Sequence, residues 1–130
     1  MRLLLADDHD FYRRSLRRLC QQKGGCQVVG EAADGQQAVA LALQLQPDLI
    51  LMDFSMPLLD GIEATRQILA ARPVTLILIL SMYHEERLRS EARAAGARGY
   101  LLKDIDWPEL LAAMRRVAAG QSLFDGDDLP

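Results

Sequence analysis

The chain has 130 residues, of which 50% are hydrophobic and 25% charged, and its formal net charge is −3 at pH 7. This length and composition predict one globular domain with a single core, and the mildly acidic balance predicts no direct nucleic-acid binding by this segment. No apolar run approaches membrane-spanning length, and the chain begins directly with a strand pattern. We therefore expect a cytoplasmic protein with no signal peptide and no membrane contact.

Five strand patterns alternate with five helix patterns along the chain. Short apolar runs predict buried parallel strands, and the amphipathic stretches between them predict helices. The predicted strands are residues 2–6, 27–32, 48–53, 75–80 and 99–102, and the predicted helices are residues 11–22, 35–45, 60–71, 85–95 and 107–119. Because parallel strands need right-handed crossovers, this alternation predicts a parallel sheet with helices on both faces.

Acidic residues mark the starts of several predicted helices. An Asp followed three positions later by Gln or Glu predicts a capped helix start at Asp34, Asp60 and Asp106. We also expect Asp10 to be the N-cap of the first helix. Residues 1–120 then form the predicted domain, and residues 121–130, which are rich in Gly and Asp and lack periodicity, predict a linker or a frayed end.

The cysteines and histidines show no metal-binding spacing. Cys20 and Cys26 are six positions apart, which matches no zinc motif. We expect Cys20 to pack in the core, since it lies on the apolar stripe of a helix, and Cys26 to be an inert thiol. His9 and His84 have no partners at ligand spacing and are expected to be surface residues near a site.

Four of the predicted strands end in polar groups that phosphoryl transfer uses. The first strand is followed by Asp7 and Asp8, the third ends in Asp53, the fourth is followed by Ser81, and the fifth by Lys103. Open α/β sheets bind ligands outside the carboxyl ends of their strands, so these groups should converge. Three neighbouring carboxylates repel one another unless a cation intervenes, and Mg²⁺ suits such an oxygen-rich cluster. An Asp beside that ion can be a ligand or a phosphoryl acceptor.

These residues, together with the segment 56–61, resemble the receiver domain of two-component response regulators from Met1 to about Gly120. The segments 28–32, 81–83 and 99–104 are similar to the NarL/FixJ subfamily, which normally carries a LuxR-type helix-turn-helix output domain. The resemblance implies a flavodoxin-like, doubly wound (βα)5 three-layer sandwich with the parallel sheet order 2-1-3-4-5. It also implies a signalling switch rather than an enzyme with an external substrate, apart from its own phosphoryl transfer and slow autodephosphorylation.

The resemblance implies a role for each carboxylate. Asp53 would accept a phosphoryl group from a histidine of a sensor kinase or of a phosphotransfer protein. Asp8 and Asp53 would bind Mg²⁺ directly, and Asp7 would hold a metal-bound water. The main-chain carbonyl of Ser55 would be a further ligand.

The resemblance assigns the remaining groups to charge neutralisation and switching. Lys103 would pair with the phosphoryl oxygens, and Ser81, which stands where Thr is commoner, would bond to one of them after transfer. Tyr100 would be the aromatic switch, although half-buried packing is the alternative for an aromatic residue in an edge strand. Asp104 follows Lys103 where many receivers have proline, so a cis peptide bond is not expected there.

Several alternatives stay open at this stage. Arg13, Arg14, Arg17 and Arg18 predict either a solvated helix face or a docking face for the kinase. A haloacid-dehalogenase-like phosphatase would need an acid two residues after its nucleophile, where this chain has Ser55. A stand-alone receiver that acts as a phosphate shuttle or protein-interaction switch is the other alternative to a regulator with an output domain. In either receiver we expect a phosphorylation-dependent homodimer.

Overall fold

The computed structural model describes residues 1–124, which form a strict alternation of strands and helices. The elements are β1 (Arg2–Ala6), α1 (Asp10–Lys23), β2 (Gln27–Ala32), α2 (Gly35–Leu45), β3 (Leu49–Asp53), α3 (Gly61–Ala71), β4 (Leu76–Ser81), α4 (Glu86–Ala94), β5 (Gly99–Leu102) and α5 (Trp107–Ala118). All strand pairs are parallel, and the sheet order is β2-β1-β3-β4-β5. The predicted topology is therefore confirmed. Within this part of the chain no helix combines the length and hydrophobicity needed to cross a bilayer.

The central strand β3 shows how the three layers form. Every residue of β3 is buried, and its side chains alternate between the two faces of the sheet. Leu49 and Leu51 pack in an apolar layer with α1 and α5, whereas Ile50 and Met52 pack in a layer with α2, α3 and α4. Because the helices cover both faces of the sheet, the side chains at the ends of the strands can reach solvent only at those strand ends.

The structure confirms three predicted helix caps and corrects a fourth. The carboxylates of Asp34, Asp60 and Asp106 accept hydrogen bonds from the backbone N–H three residues later, at 2.7, 2.8 and 3.0 Å. The expectation that Asp10 is the N-cap of α1 is wrong, because His9 occupies that position and Asp10 is the first helical residue. The Asp10 carboxylate instead accepts a hydrogen bond of 2.8 Å from Arg13.

Leu123 and Phe124, which belong to the predicted tail, are packed onto the domain. Leu123 forms a parallel bridge with Gly99 of β5, and Phe124 is only 1% exposed. The guanidinium groups of Arg89 and Arg93 on α4 lie 5.4 and 5.7 Å from the centroid of the Phe124 ring. Two apolar side chains of the predicted tail, Leu123 and Phe124, are therefore buried against the domain. Residues 125–130 of the predicted tail lie outside the described residues.

The two cysteines lie where α1 ends and β2 begins. Cys20 is fully buried in the layer that contains α1, which confirms its predicted place in the core. Burial raises the pKa of the Cys20 thiol to about 12, so this thiol stays protonated and unreactive. Cys26 is also buried and free, and its thiol contacts the carbonyl oxygen of Gly24 at 3.4 Å.

Candidate functional site

The polar groups that follow the strands meet at one edge of the sheet. Asp53 and Ser81 are the last residues of β3 and β4, Asp7 directly follows β1, and Lys103 directly follows β5. These four side chains are buried, whereas Asp8 is exposed beside them. The parallel sheet therefore brings the five strand-end groups together, as the sequence predicts.

Lys103 is the cation at the centre of this edge. Its Nζ lies 2.8 Å from Asp7 Oδ2 and 3.4 Å from Asp53 Oδ2. The same ammonium stands 4.5 Å from the centroid of the Tyr12 ring, which presents a favourable aromatic face to the charge. Burial raises the pKa of Tyr12 to about 12, so the ring stays neutral. A buried ammonium needs such partners, because unpaired it would lose its hydration without compensation.

Asp53 carries an electrostatically unfavourable charge. Burial, followed by the neighbouring Asp7 carboxylate, raises the pKa of Asp53 to about 6, although Lys103 acts in the opposite direction. At neutral pH most of this carboxyl group is therefore ionised and able to act as a nucleophile. A divalent cation would relieve the repulsion between the carboxylates.

The donor atoms of the site fit a small divalent cation. Asp7, Asp8, His9 and Asp53 each offer one ligand atom, and these four atoms all lie within 4.8 Å of one another. Three of the four donors are carboxylate oxygens, which are the ligands that Mg²⁺ prefers. Ser55 lies in the loop that leaves β3, and its predicted role as a main-chain ligand stays a prediction.

His9 is a surface residue beside the site, as expected, and it also has carboxylate neighbours that its sequence spacing does not show. Its Nδ1 lies 3.1 Å from Asp7 Oδ1, 3.2 Å from Asp8 Oδ1 and 3.9 Å from Asp53 Oδ2. Sequence spacing could not show this cluster, because Asp53 arrives from a different strand. His84 is exposed in the loop between β4 and α4, as expected for a surface residue near the site.

Ser81 and Tyr100 hold the same residue of the β4–α4 loop. Ser81 Oγ accepts a hydrogen bond of 2.9 Å from the backbone N–H of Tyr83, and the Tyr100 hydroxyl donates one of 2.6 Å to the Tyr83 carbonyl. Tyr100 is 7% exposed, so its ring is buried rather than half-buried, and burial raises the pKa of its hydroxyl. The two predicted switch residues therefore both form hydrogen bonds with the backbone of Tyr83, Ser81 with its N–H and Tyr100 with its carbonyl.

Arg13 supports the site in a way that the sequence analysis missed. Its guanidinium donates to the main-chain carbonyl of Asp7 at 2.6 Å and to Glu31 Oε1 at 2.9 Å. Arg17 pairs with the same Glu31 carboxylate, so neither of these two arginines simply faces solvent, whereas Arg14 and Arg18 are exposed. The available signal was Glu31, which is the one charged residue of β2 and lies opposite an arginine-rich helix.

Gly61 explains part of the loop motif that follows the acceptor strand. A Cβ atom at Gly61 would lie 2.3 Å from the carbonyl oxygen of Asp53, a distance that only displacement of the backbone could relieve. The Gly61 N–H donates to the Phe54 carbonyl at 2.8 Å. The start of α3 therefore packs directly on the backbone that carries Asp53, which fixes the position of this carboxylate.

Comparison with known proteins identifies relatives across most of the chain. A family model described as the response regulator receiver domain matches residues 3–115. The transcriptional regulatory protein YxjL of Bacillus subtilis is 44% identical over 124 residues, which are 95% of this chain and 57% of that protein. The response regulator GacA of Pseudomonas aeruginosa is 37% identical over 121 residues, or 93% of this chain and 56% of that protein. The chain thus spans about half the length of these curated relatives.

Solved structures agree with this assignment. The signal receiver domain of the putative response regulator NarL from Mycobacterium tuberculosis has a TM-score of 0.88 and 33% identity, covering 92% of this chain and 97% of that one. A LuxR-family two-component response regulator from Aurantimonas sp. SI85-9A1 has a TM-score of 0.88 and 39% identity, covering 93% and 86%. The chain therefore belongs to the receiver domain family of two-component response regulators, and its relatives are regulators of the NarL and LuxR type.

Proposed function

We propose that this domain is a Mg²⁺-dependent phospho-receiver in which Asp53 accepts a phosphoryl group from a phosphohistidine of a sensor kinase or phosphotransfer protein. The observation that carries the proposal is the Asp53 carboxylate itself, buried at the sheet edge with its pKa raised to about 6 and with Lys103 Nζ 3.4 Å away. Such a carboxylate is ionised at neutral pH and poorly solvated, which favours nucleophilic attack. Family membership supports this receiver role over a dehalogenase-like phosphatase.

The transfer step needs a nucleophile and a mobile positive charge. A carboxylate oxygen of Asp53 attacks phosphorus, and the new O–P bond forms as the P–N bond of the donor breaks. The donor imidazole leaves with the electron pair of that bond. The Lys103 ammonium then moves from Asp7 toward the phosphoryl oxygens. Because the lysine side chain is flexible, this movement needs no change of the backbone.

Mg²⁺ would be held by the carboxylates of the same edge. We assign Asp8 and Asp53 as direct ligands, Asp7 as the holder of a metal-bound water, and the Ser55 carbonyl as a further ligand. When bound, the ion supplies charge neutralisation for the carboxylates and the phosphoryl group. The exposure of Asp8 beside the buried Asp53 leaves this side of the site open to solvent and to a donor protein.

Ser81 and Tyr100 would convert phosphorylation into a change of the β4–α4 loop. When the Ser81 hydroxyl turns to donate to a phosphoryl oxygen, the Tyr83 N–H loses its acceptor. Tyr100, bonded to the carbonyl of Tyr83, must then adjust with it. This is a two-state element whose balance a new charge on Asp53 can bias.

Phosphoryl labelling tests the acceptor. Incubation with acetyl phosphate and Mg²⁺ should add one phosphoryl group to the wild-type chain, none to Asp53→Asn and none to Asp8→Ala, as measured by intact-mass spectrometry. Asp104→Asn is the matched control, because this exposed carboxylate lies next to Lys103 but outside the cluster. Full labelling of Asp53→Asn would refute the assignment.

Beryllium fluoride, a stand-in for the phosphoryl group, tests the switch. In the presence of Mg²⁺ it should change the amide exchange of Tyr83 and its neighbours in the wild-type chain but not in Ser81→Ala. Fluorine NMR establishes that the complex has formed in both proteins. Light scattering of the same samples tests the proposed homodimer. The particle mass should increase when the beryllium fluoride complex forms and should remain that of the monomer without it. Unchanged exchange in the wild-type complex would contradict the switch.

We also propose that the domain of residues 1–120 controls the output domain of a longer transcriptional regulator through the segment 121–130. Support comes from the relatives, which are named as regulators and are about twice as long as the part that matches. Phe124, the last residue of this segment that the structure describes, packs on the domain. Sequencing the coding region beyond Pro130 tests this, because an immediate stop codon would favour a stand-alone phosphate shuttle.

A further inference from the structure

The His9 side chain is directed into the carboxylate cluster. Three carboxylate oxygens surround its Nδ1 at 3.1, 3.2 and 3.9 Å, and Lys103 Nζ lies 3.1 Å from the same atom. The rest of the ring is largely exposed, with 62% of the side chain accessible. Apolar packing therefore does not account for this orientation, and the polar contacts of Nδ1 do.

Asp7 fixes this orientation by two contacts with one oxygen. Asp7 Oδ1 accepts a hydrogen bond of 2.8 Å from the backbone N–H of His9 and lies 3.1 Å from His9 Nδ1. His9 is also the N-cap residue of α1, with extended backbone angles of φ −89° and ψ 100°. Both the backbone and the ring of His9 are thus held against Asp7, which in the proposed function holds a metal-bound water.

The distances suit a shared ion. Ligand atoms about 2.1 Å from one metal ion lie about 3 to 3.5 Å apart when they are neighbours in its coordination shell. Two of the three separations from Nδ1 fall in this range, and the third, to Asp53, exceeds it only slightly. A small rotation of the exposed ring would close the difference.

We propose that His9 is a nitrogen ligand that gives this site a second mode of binding, in which a first-row transition ion such as Ni²⁺, Co²⁺ or Zn²⁺ is held by the carboxylates and by His9 Nδ1. Mg²⁺ binds through oxygen and gains nothing from an imidazole, whereas these softer ions bind imidazole strongly. This inference rests on the proposed function, because it uses the same carboxylates. With His9 as a ligand, the ion that occupies the site in the cell depends on which divalent metals are available.

Calorimetric titration with Ni²⁺ and, separately, Mg²⁺ tests the proposal in the wild-type chain and in His9→Asn. Asn is favoured at a helix N-cap and lacks the ring nitrogen, and the His9 side chain itself makes no capping hydrogen bond that would be lost. We expect His9→Asn to weaken Ni²⁺ binding by about tenfold or more while Mg²⁺ affinity changes by less than about twofold. His84→Asn, which removes the other histidine of the chain, is the matched control and should bind both ions as the wild type does.

A spectroscopic measurement identifies the ligand directly. With Co²⁺ bound, the wild-type chain should show strongly shifted proton resonances from one imidazole ring, and His9→Asn should lack them. Equal Ni²⁺ affinity in wild type and His9→Asn would overturn the proposal. An equal loss of Ni²⁺ and Mg²⁺ affinity in His9→Asn would overturn it too, because the residue would then only orient Asp7. Failure of Mg²⁺ to bind any of the three proteins would instead contradict the proposed function.

Discussion

Asp53 combines two opposing properties, since its proposed role as phosphoryl acceptor requires ionisation and yet the carboxylate is buried beside a second one. This buried charge lowers the stability of the fold, but an ionised and poorly solvated oxygen is a good nucleophile. Lys103 compensates part of the cost through its contact of 3.4 Å. Functional sites commonly hold such unfavourable groups, and removing them stabilises the fold.

Asp53→Asn should therefore stabilise the metal-free protein. The folded-state pKa of about 6 is above the unfolded value of about 3.9, so the folded state binds the proton more tightly. Ionisation then lowers the free energy of unfolding as the pH rises from about 4 to about 6. Since one pKa unit corresponds to about 1.4 kcal/mol, we expect a gain of about 1–3 kcal/mol at pH 7.5.

Urea denaturation in EDTA at pH 7.5 and at pH 4 measures this difference. The advantage of Asp53→Asn should largely disappear at pH 4, where Asp53 of the wild type is protonated in the folded state. Asp104→Asn removes an exposed carboxylate and should change stability by less than about 0.5 kcal/mol at either pH. A destabilised Asp53→Asn at pH 7.5 would show that repulsion does not dominate at this position.

Lys103→Met should raise the affinity for Mg²⁺. The Lys103 ammonium touches the Asp7 and Asp53 carboxylates, so it repels a divalent ion at the same place. Met keeps much of the apolar stem and removes the charge. Calorimetric titration should give tighter Mg²⁺ binding for Lys103→Met, whereas Lys23→Met, at the far end of α1, should bind as the wild type does. Weaker binding in Lys103→Met would mean that the lysine organises the ligands instead.

At the scale of the elements, the helix starts show which local signals decide structure. Asp106 sits before α5 and its side chain accepts the N–H of Glu109, as its sequence pattern predicts. Asp10 carries the same type of side chain at the start of α1 but lies one position inside the helix. There its carboxylate meets Arg13 instead of a free backbone N–H. The position relative to the first turn, rather than the residue type, decides whether an Asp caps.

Asp106→Ala and Asp10→Ala should therefore differ in stability. Loss of the Asp106 cap should lower the free energy of unfolding by about 1 kcal/mol, because the Glu109 N–H loses its acceptor. Asp10→Ala removes a carboxylate that is 66% exposed, and Arg13 keeps its contacts with Glu31 and the Asp7 carbonyl, so the change should cost less than about 0.5 kcal/mol. Thermal or urea unfolding of the two variants measures both values. Equal losses would indicate that Asp10 contributes to the helix start in a way its contacts do not suggest.

At the scale of the whole molecule, the segment after α5 extends the fold at the free edge of β5. Phe124 joins the apolar layer that also contains Tyr100 and Leu88. The packing of the segment and the environment of the proposed switch are therefore parts of one cluster. We therefore expect a displacement of the Tyr100 ring to alter the packing of Phe124.

Phe124→Ala should destabilise the domain far more than Phe11→Ala. Phe124 is 1% exposed and Phe11 is 86% exposed, so the same substitution removes a buried ring in one case and a solvated ring in the other. We expect a loss of about 3 kcal/mol or more for Phe124→Ala and less than about 0.5 kcal/mol for Phe11→Ala. Urea denaturation of both variants at the same pH gives the comparison. Similar values would show that the segment contributes little to the folded domain.

The sequence by itself determined the alternation of elements, the sheet order through its family resemblance, and the identity of the strand-end groups. Local and periodic signals were sufficient there: apolar runs specify buried strands, Asp patterns specify caps, and a parallel sheet brings its carboxyl ends to one edge. The prediction failed where a contact joins distant parts of the chain. Only the tertiary structure shows that the His9 ring lies near Asp53, that Arg13 donates a hydrogen bond to the Asp7 carbonyl and that Phe124 packs against α4. Each of these depends on distances between elements, which no local pattern encodes.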